Sequence, residues 1–181
     1  MSLEVYIRGT VPIQPETSDD KVEEALRPWL EYIDEDSVAN AKSIHPDEPG
    51  IRYDTERNVL EICWTGTVGP NFRKVLTQSL EQLNLLSDEA GCIDVTFYHD
   101  DGREEADIMF VGPDITTIQM AQKARMSADI GQLLGRQFGD SEIAEVVALV
   151  NQIFDRNWQS DDTQTDNGAM IFSEALSKQL H

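Results

Sequence analysis

The sequence has few of the features that mark secreted, membrane or metal-binding proteins. It has only two cysteines, Cys63 and Cys92, which lie far apart and lack the spacing of a metal site. Isolated cysteines suit a reducing compartment, so we expect a cytoplasmic protein. No run of about 18 apolar residues is present, and the N-terminus lacks a basic region followed by an apolar one. We therefore expect neither a transmembrane helix nor a signal peptide.

Motifs of the common enzyme classes are also absent. The chain has no Gly-x-Gly-x-x-Gly, no phosphate-binding loop, no His-Glu-x-x-His and no Gly-x-Ser-x-Gly. Many enzymes need one of these spacings to hold a nucleotide, a metal ion or a nucleophile. We therefore predict no cofactor and favour a protein without catalytic activity over an enzyme.

Basic residues are scarce. The 14 Lys and Arg residues stand against 34 Asp and Glu residues, which gives a net charge of −20 over 181 residues. The excess is the same in both halves of the chain, −10 in residues 1–90 and −10 in residues 91–181. This charge disfavours nucleic acid bound through a basic patch, and it disfavours anionic membranes. Three interpretations stay open: a basic protein partner, solubility alone, and adaptation to high salt.

Hydrophobic periodicity predicts an α+β fold for the first part of the chain. Residues 3–112 read as β-α-β-β-α-β-β, with the last two strands joined at Asp100-Asp101-Gly102. Two split βαβ units predict a ferredoxin-like β-α-β-β-α-β core with an added fifth strand. Right-handed crossovers then give the strand order 5-4-1-3-2. We assign this domain to residues 1–112.

Three local features of this domain are less regular. Pro28 falls inside the apolar stripe of the first helix, so we expect that helix to be kinked or split near Arg27. Residues 38–44 suggest a short extended piece. The apolar residues of the last strand are Ala106, Ile108 and Phe110.

The rest of the chain is expected to be helical. Residues 114–138 and 141–158 have helical periodicity, and we expect this pair, within 113–158, to pack on the same domain. Residues 159–181 read as a polar linker and a short amphipathic C-terminal segment, which makes two or three C-terminal helices in all. A row of small residues in the first of these helices favours packing against the second, although self-association stays open: Ala121, Ala124, Ala128, Gly131 and Gly135.

The first candidate site is the sheet face away from the helices. If Val5 and Ile7 face the core, alternation places five polar side chains on the opposite face: Tyr6, Arg8, Glu61, Asp94 and Tyr98. Tyrosine suits a protein contact surface because it combines a large rigid area with a polar end. Alternatively, Arg8 orients an anionic ligand while Glu61 or Asp94 acts as an acid or base. Ordinary cross-strand charge pairing explains the same pattern.

The second candidate site is the hairpin that follows the fourth strand. His99 and Asp101 are residue types that bind divalent metals. A solvated hairpin tip explains these residues better, because such tips do not usually form concave sites.

Taken together, these features favour a non-enzymatic interaction or regulatory protein that binds a basic protein partner. The alternative is a small-molecule-binding protein or enzyme that uses the polar face of the sheet. A nucleic-acid mimic is an extreme form of the first hypothesis. The sequence leaves a homodimer open.

Overall fold

The computed structural model describes the backbone of residues 3–161 and the side chains of residues 3–158. The described part has an α+β fold, with a five-stranded antiparallel sheet and four α-helices. Its contacts divide it into two units, one up to Ile118 and one from Gln119 onward. The predicted linker and amphipathic segment lie outside the described residues, except that the last helix continues to Asp161.

The first unit is built on the sheet. Its strands are β1 (Leu3–Pro12), β2 (Gly50–Asp54), β3 (Val59–Val68), β4 (Gly91–Tyr98) and β5 (Glu104–Val111). They lie in the order β2-β3-β1-β4-β5, and every neighbouring pair is antiparallel. The order agrees with the one predicted from right-handed crossovers.

Two helices of the first unit, α1 (Asp19–Tyr32) and α2 (Phe72–Asn84), share one core with the sheet. Buried and more exposed residues alternate along the strands, as expected for strands with one face against the core. Val5 and Ile7 on β1 are fully buried. An aromatic cluster joins the layers, since the Trp29 ring centroid lies 5.4 Å from that of Trp64 and 5.9 Å from that of Phe72.

Of the two outcomes expected at Pro28, a kink or a split, the split does not occur. The helix α1 runs continuously through Pro28. Proline lacks a backbone N–H and crowds the preceding turn, which disturbs the helical hydrogen bonds around it. The backbone N–H of Trp29 donates instead to Ser79 Oγ, at 3.1 Å, from the facing helix α2. A fully buried side chain 50 residues away therefore provides a partner at the proline.

One other local expectation needs correction, and the register adds a finding on the last strand. The predicted extended piece at 38–44 begins with a 3-10 helix, Val38–Asn40. On β5, the side chains that share the core side of β4 are Asp107, Met109 and Val111, since Asp107 pairs with Val95 and Met109 with Ile93. The three apolar residues Ala106, Ile108 and Phe110 therefore lie on the opposite face of the sheet.

The second unit contains most of α3 (Ile115–Leu134) and all of α4 (Asp140–Asp161). The two helices are joined by polar contacts and by the packing of Ile143 near Gly131. Lys123 Nζ lies 2.7 Å from Asp155 Oδ1, and the Ser127 hydroxyl is 3.1 Å from Asn151 Oδ1. Among residues 3–161, no helix is both long and apolar enough to cross a membrane.

Candidate functional site: the open face of the sheet

The strand register determines which side chains share the face of the sheet opposite α1 and α2. We call this surface the open face. Tyr6 pairs with Thr65 and Thr96, Arg8 pairs with Cys63 and Asp94, and Tyr98 pairs with Glu4. Directly opposed residues of neighbouring strands point to the same side. The structure therefore brings Tyr6, Arg8, Asp94 and Tyr98 to one face, and Glu61, opposite Thr10, lies on the same face.

Arg8 is exposed on the central strand of this face. Asp94 lies directly across from it on β4. Glu61 lies further along β3, where it is opposite Thr10 and Arg52. Its carboxylate is 3.1 Å from the guanidinium of Arg57, so this side chain pairs within its own hairpin.

Tyr6 is the residue of the open face whose acidity the surroundings change most clearly. Burial of its phenol raises its pKa above the ordinary 10.0, and the neighbouring Cys63 raises it further. Hydrogen bonding and charge from Arg8 oppose this shift. The phenol therefore stays neutral and keeps its O–H as a donor throughout the physiological pH range.

Apolar side chains extend the open face toward the edge of the sheet. Ile108 lies opposite Asp94, and Phe110 lies opposite Cys92. Both apolar side chains are half-buried, and Tyr98 is exposed. A mixed surface of aromatic, aliphatic and polar groups is typical of protein–protein contacts. Sequence periodicity did not place Ile108 or Phe110 on this face.

Both cysteines also belong to the open face, on either side of β1. Cys63 is opposite Arg8, and Cys92 is opposite Thr10. Two strand spacings separate them by about 9.6 Å, beyond the reach of a disulfide. The structure confirms that both thiols are free of disulfides.

Two cavities of the first unit lie away from the open face. One, of about 270 Å³, is lined by Leu3, His99, Asp100, Asp101 and Arg103. The other, of about 240 Å³, lies between α1 and β2 and includes Val22, Glu23, Val38 and Tyr53. Neither cavity is lined by any of the five predicted binding residues.

Within the hairpin, Asp101 pairs with Arg103. The Asp101 carboxylate accepts from Arg103 Nε at 2.7 Å, and this hydrogen bond holds the pKa of Asp101 below its ordinary value. His99 Nε2 lies 3.5 Å from Glu105 Oε2. Among residues 3–158, no group of three or more His, Cys, Asp and Glu side chains is placed to hold a metal ion.

A charged cluster that sequence periodicity did not indicate joins α2 to the edge strand β5. Arg73 donates to Asp107 and, at 2.6 Å, to Glu105. Its guanidinium also lies 4.6 Å from the ring centroid of Phe97. Asp107 faces the core and its side chain is only 5% exposed. An inward-pointing charge on an edge strand opposes edge-to-edge aggregation, so the cluster has a structural role.

The negative charge is concentrated in the first unit. Residues 1–118 hold 25 acidic and 9 basic residues, a net charge of −16. Residues 119–161 hold six acidic and four basic residues, a net charge of −2. The net charges of the two sequence halves, which are equal, do not show this difference, because the boundary between the two units lies near residue 118 and not at the midpoint.

Comparison with known proteins identifies a family without a known function. No curated protein and no solved structure matches the chain. A family model described as a family of unknown function (DUF6806) matches residues 3–155. The match includes the whole sheet and most of the second unit, so this chain belongs to that family.

Proposed function

We propose that the protein is a non-enzymatic interaction module that binds a basic protein through the open face. The observation that carries this proposal is the face itself. It is a sheet surface on which Tyr6, Tyr98, Ile108 and Phe110 surround polar groups, on a unit with a net charge of −16. Aromatic anchors contribute much of the energy of protein interfaces.

The charge of the first unit supplies the preference for a basic partner. A negative field attracts a positively charged protein over distances of about a Debye length, near 10 Å at 0.1 M salt. Such attraction raises association rates more than it raises affinity. The partner should therefore bind fastest at low ionic strength, while the contacts on the open face determine how long the complex lasts.

We also propose that the first unit is a ferredoxin-like sandwich with one added strand. The order β-α-β-β-α-β along the chain and the central position of β1 between β3 and β4 support this assignment. Both helices pack on the same side, which leaves the other face uncovered by them. The fold by itself carries no activity, so the functional proposal rests on the open face.

The two cysteines, neither of which forms a disulfide, support a proposal for the cellular setting. Cys63 and Cys92 are half-exposed and unbridged. We propose a cytoplasmic location, because such thiols persist in a reducing compartment.

Photo-cross-linking tests the proposed binding face. The photoreactive residue p-benzoylphenylalanine replaces Tyr98, an aromatic-for-aromatic change on the open face, in the native cells. The control carries it at Glu31, which is exposed on α1. We expect a protein adduct at Tyr98 that is absent at Glu31, with a partner rich in Lys and Arg. Identical adducts at both positions, or an acidic partner, would contradict the proposal.

A small-molecule function is the second candidate, because Arg8 and Asp94 lie side by side on the open face. An anionic ligand held there at 100 times its dissociation constant would add about 2.7 kcal/mol to the stability. A thermal-unfolding screen of anionic metabolites, repeated with Arg8→Gln, checks this candidate. A shift in the melting temperature that Arg8→Gln abolishes would favour it over protein binding.

A further inference from the structure

The strand register arranges the side chains of the open face in rows that run across the sheet. Glu4 on β1 lies opposite Tyr98 on β4, and Tyr98 lies opposite Glu104 on β5. Directly opposed residues of neighbouring strands have Cβ atoms about 4.5–5.5 Å apart, so a carboxylate side chain stands on each side of the Tyr98 ring. We call Glu4, Tyr98 and Glu104 the acidic row.

The aromatic ring in the middle of the acidic row is uncovered. Tyr98 is 37% exposed, and within the five described strands it is the one large hydrophobic side chain that is exposed. Glu4 and Glu104 are exposed as well. The row therefore presents an aromatic surface and two carboxylates to the solvent together.

The negative charge of the acidic row has no cation paired with it among residues 3–158. No basic side chain in this range forms an ion pair with Glu4 or Glu104. Arg103 is adjacent to Glu104 in the sequence, but its Nε is 2.7 Å from the carboxylate of Asp101. Arg8 lies four residues along β1 from Glu4, which is about 14 Å in an antiparallel strand. Both carboxylates of the row are therefore available to a cation from another molecule.

A guanidinium group matches this arrangement better than an ammonium group does. The guanidinium of arginine is planar, stacks on aromatic faces and carries donors along its edges. When it stacks on the Tyr98 ring, those donors point sideways, toward the strands that carry Glu4 and Glu104. The ammonium of lysine is a compact and strongly hydrated charge, so it gains less from the flat ring.

We propose that the acidic row is the place where the open face binds one arginine side chain of its basic partner. The guanidinium stacks on the Tyr98 ring and donates to the carboxylates of Glu4 and Glu104 on either side. This inference rests on the proposed function and adds to it the residue type that the partner must present. The charge of the first unit attracts basic proteins in general, while the acidic row selects those that expose an arginine able to reach the ring.

A model peptide tests the acidic row without the partner. The isotopically labelled full-length protein is titrated at low salt, and NMR follows the ring and amide signals of Tyr98. One probe is N-acetyl-Gly-Arg-Gly-amide, and the other is its lysine counterpart, which carries the same charge. We expect the arginine peptide to bind with a dissociation constant on the order of 10 mM. The lysine peptide should bind at least about threefold more weakly, because it loses the stacking on the ring.

Two results of this titration would overturn the proposal. One is the absence of any shift at Tyr98 with the arginine peptide up to about 50 mM, which is also the result expected if another part of the same chain already occupies the row. The other is tighter binding of the lysine peptide than of the arginine peptide.

Single substitutions of the glutamates separate the acidic row from the general charge of the face. Glu4→Gln and Glu104→Gln each remove one carboxylate and keep the size of the side chain, so each should weaken the arginine peptide about two- to fivefold. Glu61→Gln is the matched control, because it removes the same charge from the same face at a carboxylate already 3.1 Å from Arg57. It should change the affinity by less than about 1.5-fold. Equal effects of the three variants would show a response to net charge alone and would overturn the proposal.

A substitution of the ring tests the stacking. Tyr98→Leu keeps both carboxylates of the acidic row but removes the aromatic face. It should weaken the arginine peptide and bring its affinity close to that of the lysine peptide, because both cations then interact with the carboxylates alone. An unchanged preference for the arginine peptide in Tyr98→Leu would contradict the stacking and overturn the proposal.

The captured partner separates this inference from the proposed function. The photoreactive residue is placed at Ala106, which is exposed in the next row of the open face. We expect the protein captured there to bind Glu4→Gln/Glu104→Gln at least about tenfold more weakly than it binds the wild-type chain. If it binds both equally, this inference fails and the proposed function stands. If the arginine peptide behaves as expected but no basic protein is captured, the acidic row stands as an arginine site and the proposed function fails.

Discussion

Replacing Arg73 by methionine tests the ion pair that joins α2 to the edge strand β5. The change keeps much of the aliphatic bulk of the side chain but leaves the Asp107 carboxylate, 5% exposed, without its partner. Removing one member of a buried ion pair typically costs about 3–5 kcal/mol. Loss of the contact with the Phe97 ring adds about 0.5–1 kcal/mol. We therefore expect Arg73→Met to lower the free energy of unfolding by about 4 kcal/mol.

The double variant Arg73→Met/Asp107→Leu separates the buried charge from the packing. It leaves no uncompensated carboxylate in the core, so it should be considerably more stable than Arg73→Met alone. Glu105 also loses its contact with Arg73, but its side chain is half-exposed and water replaces the interaction at a cost below about 1 kcal/mol.

Urea unfolding followed by the fluorescence of the buried Trp29 and Trp64 measures these differences. Arg57→Met is the matched control, since it removes the exposed pair with Glu61 and should cost less than about 1 kcal/mol. Equal costs for Arg73→Met and Arg57→Met would refute the reasoning. A double variant that is less stable than Arg73→Met would refute it as well.

Three further predictions concern the backbone. Ser79→Ala should cost about 1–3 kcal/mol, because it leaves the buried N–H of Trp29 unpaired; chemical unfolding of this variant measures the loss. Gly9→Ala should sharply reduce the yield of folded protein in an expression test, because the added Cβ would collide with the main chain of β4. Asp114 accepts from the backbone N–H of Thr117 at 2.8 Å, which lowers the pKa of Asp114 below 3.8. Its stabilising effect is thus present above pH 3.8 and lost as the pH falls through the lower folded-state pKa. An NMR titration should show the start of α3 fraying only in that acidic range.

Much of the fold could be predicted because it depends on local patterns. Hydrophobic periodicity predicted the succession of strands and helices in residues 3–112, and right-handed crossovers predicted the strand order. The continuity of α1 at Pro28 could not be predicted, because the N–H of the next residue donates to Ser79, which is distant in sequence and reaches α1 only after the helices pack. No local pattern around Pro28 indicates that partner.

Part of the candidate site could also be predicted from local alternation. Alternation predicted that Arg8 and Asp94 share the open face, and the register places them side by side. Sequence periodicity did not predict that Asp107 faces the core. The apolar residues on either side of Asp107 suggest the opposite alternation of buried and exposed positions. The tight hairpin fixes which residues of β4 and β5 face each other. Because Asp107 lies opposite the buried Val95, the hairpin register indicates that Asp107 faces the core. The partner Arg73 lies 34 residues away and leaves no trace in the local sequence.

The proposed binding face is tested most directly by an NMR titration of this protein with the partner that cross-links at Tyr98. We expect the backbone amide shifts to concentrate on β1, β3 and β4 around Tyr6, Arg8 and Thr96, and to shrink as salt is raised. Shifts confined to α1 and α2, or to α4, would contradict binding through the open face. Shifts that do not depend on ionic strength would contradict the role of the negative charge.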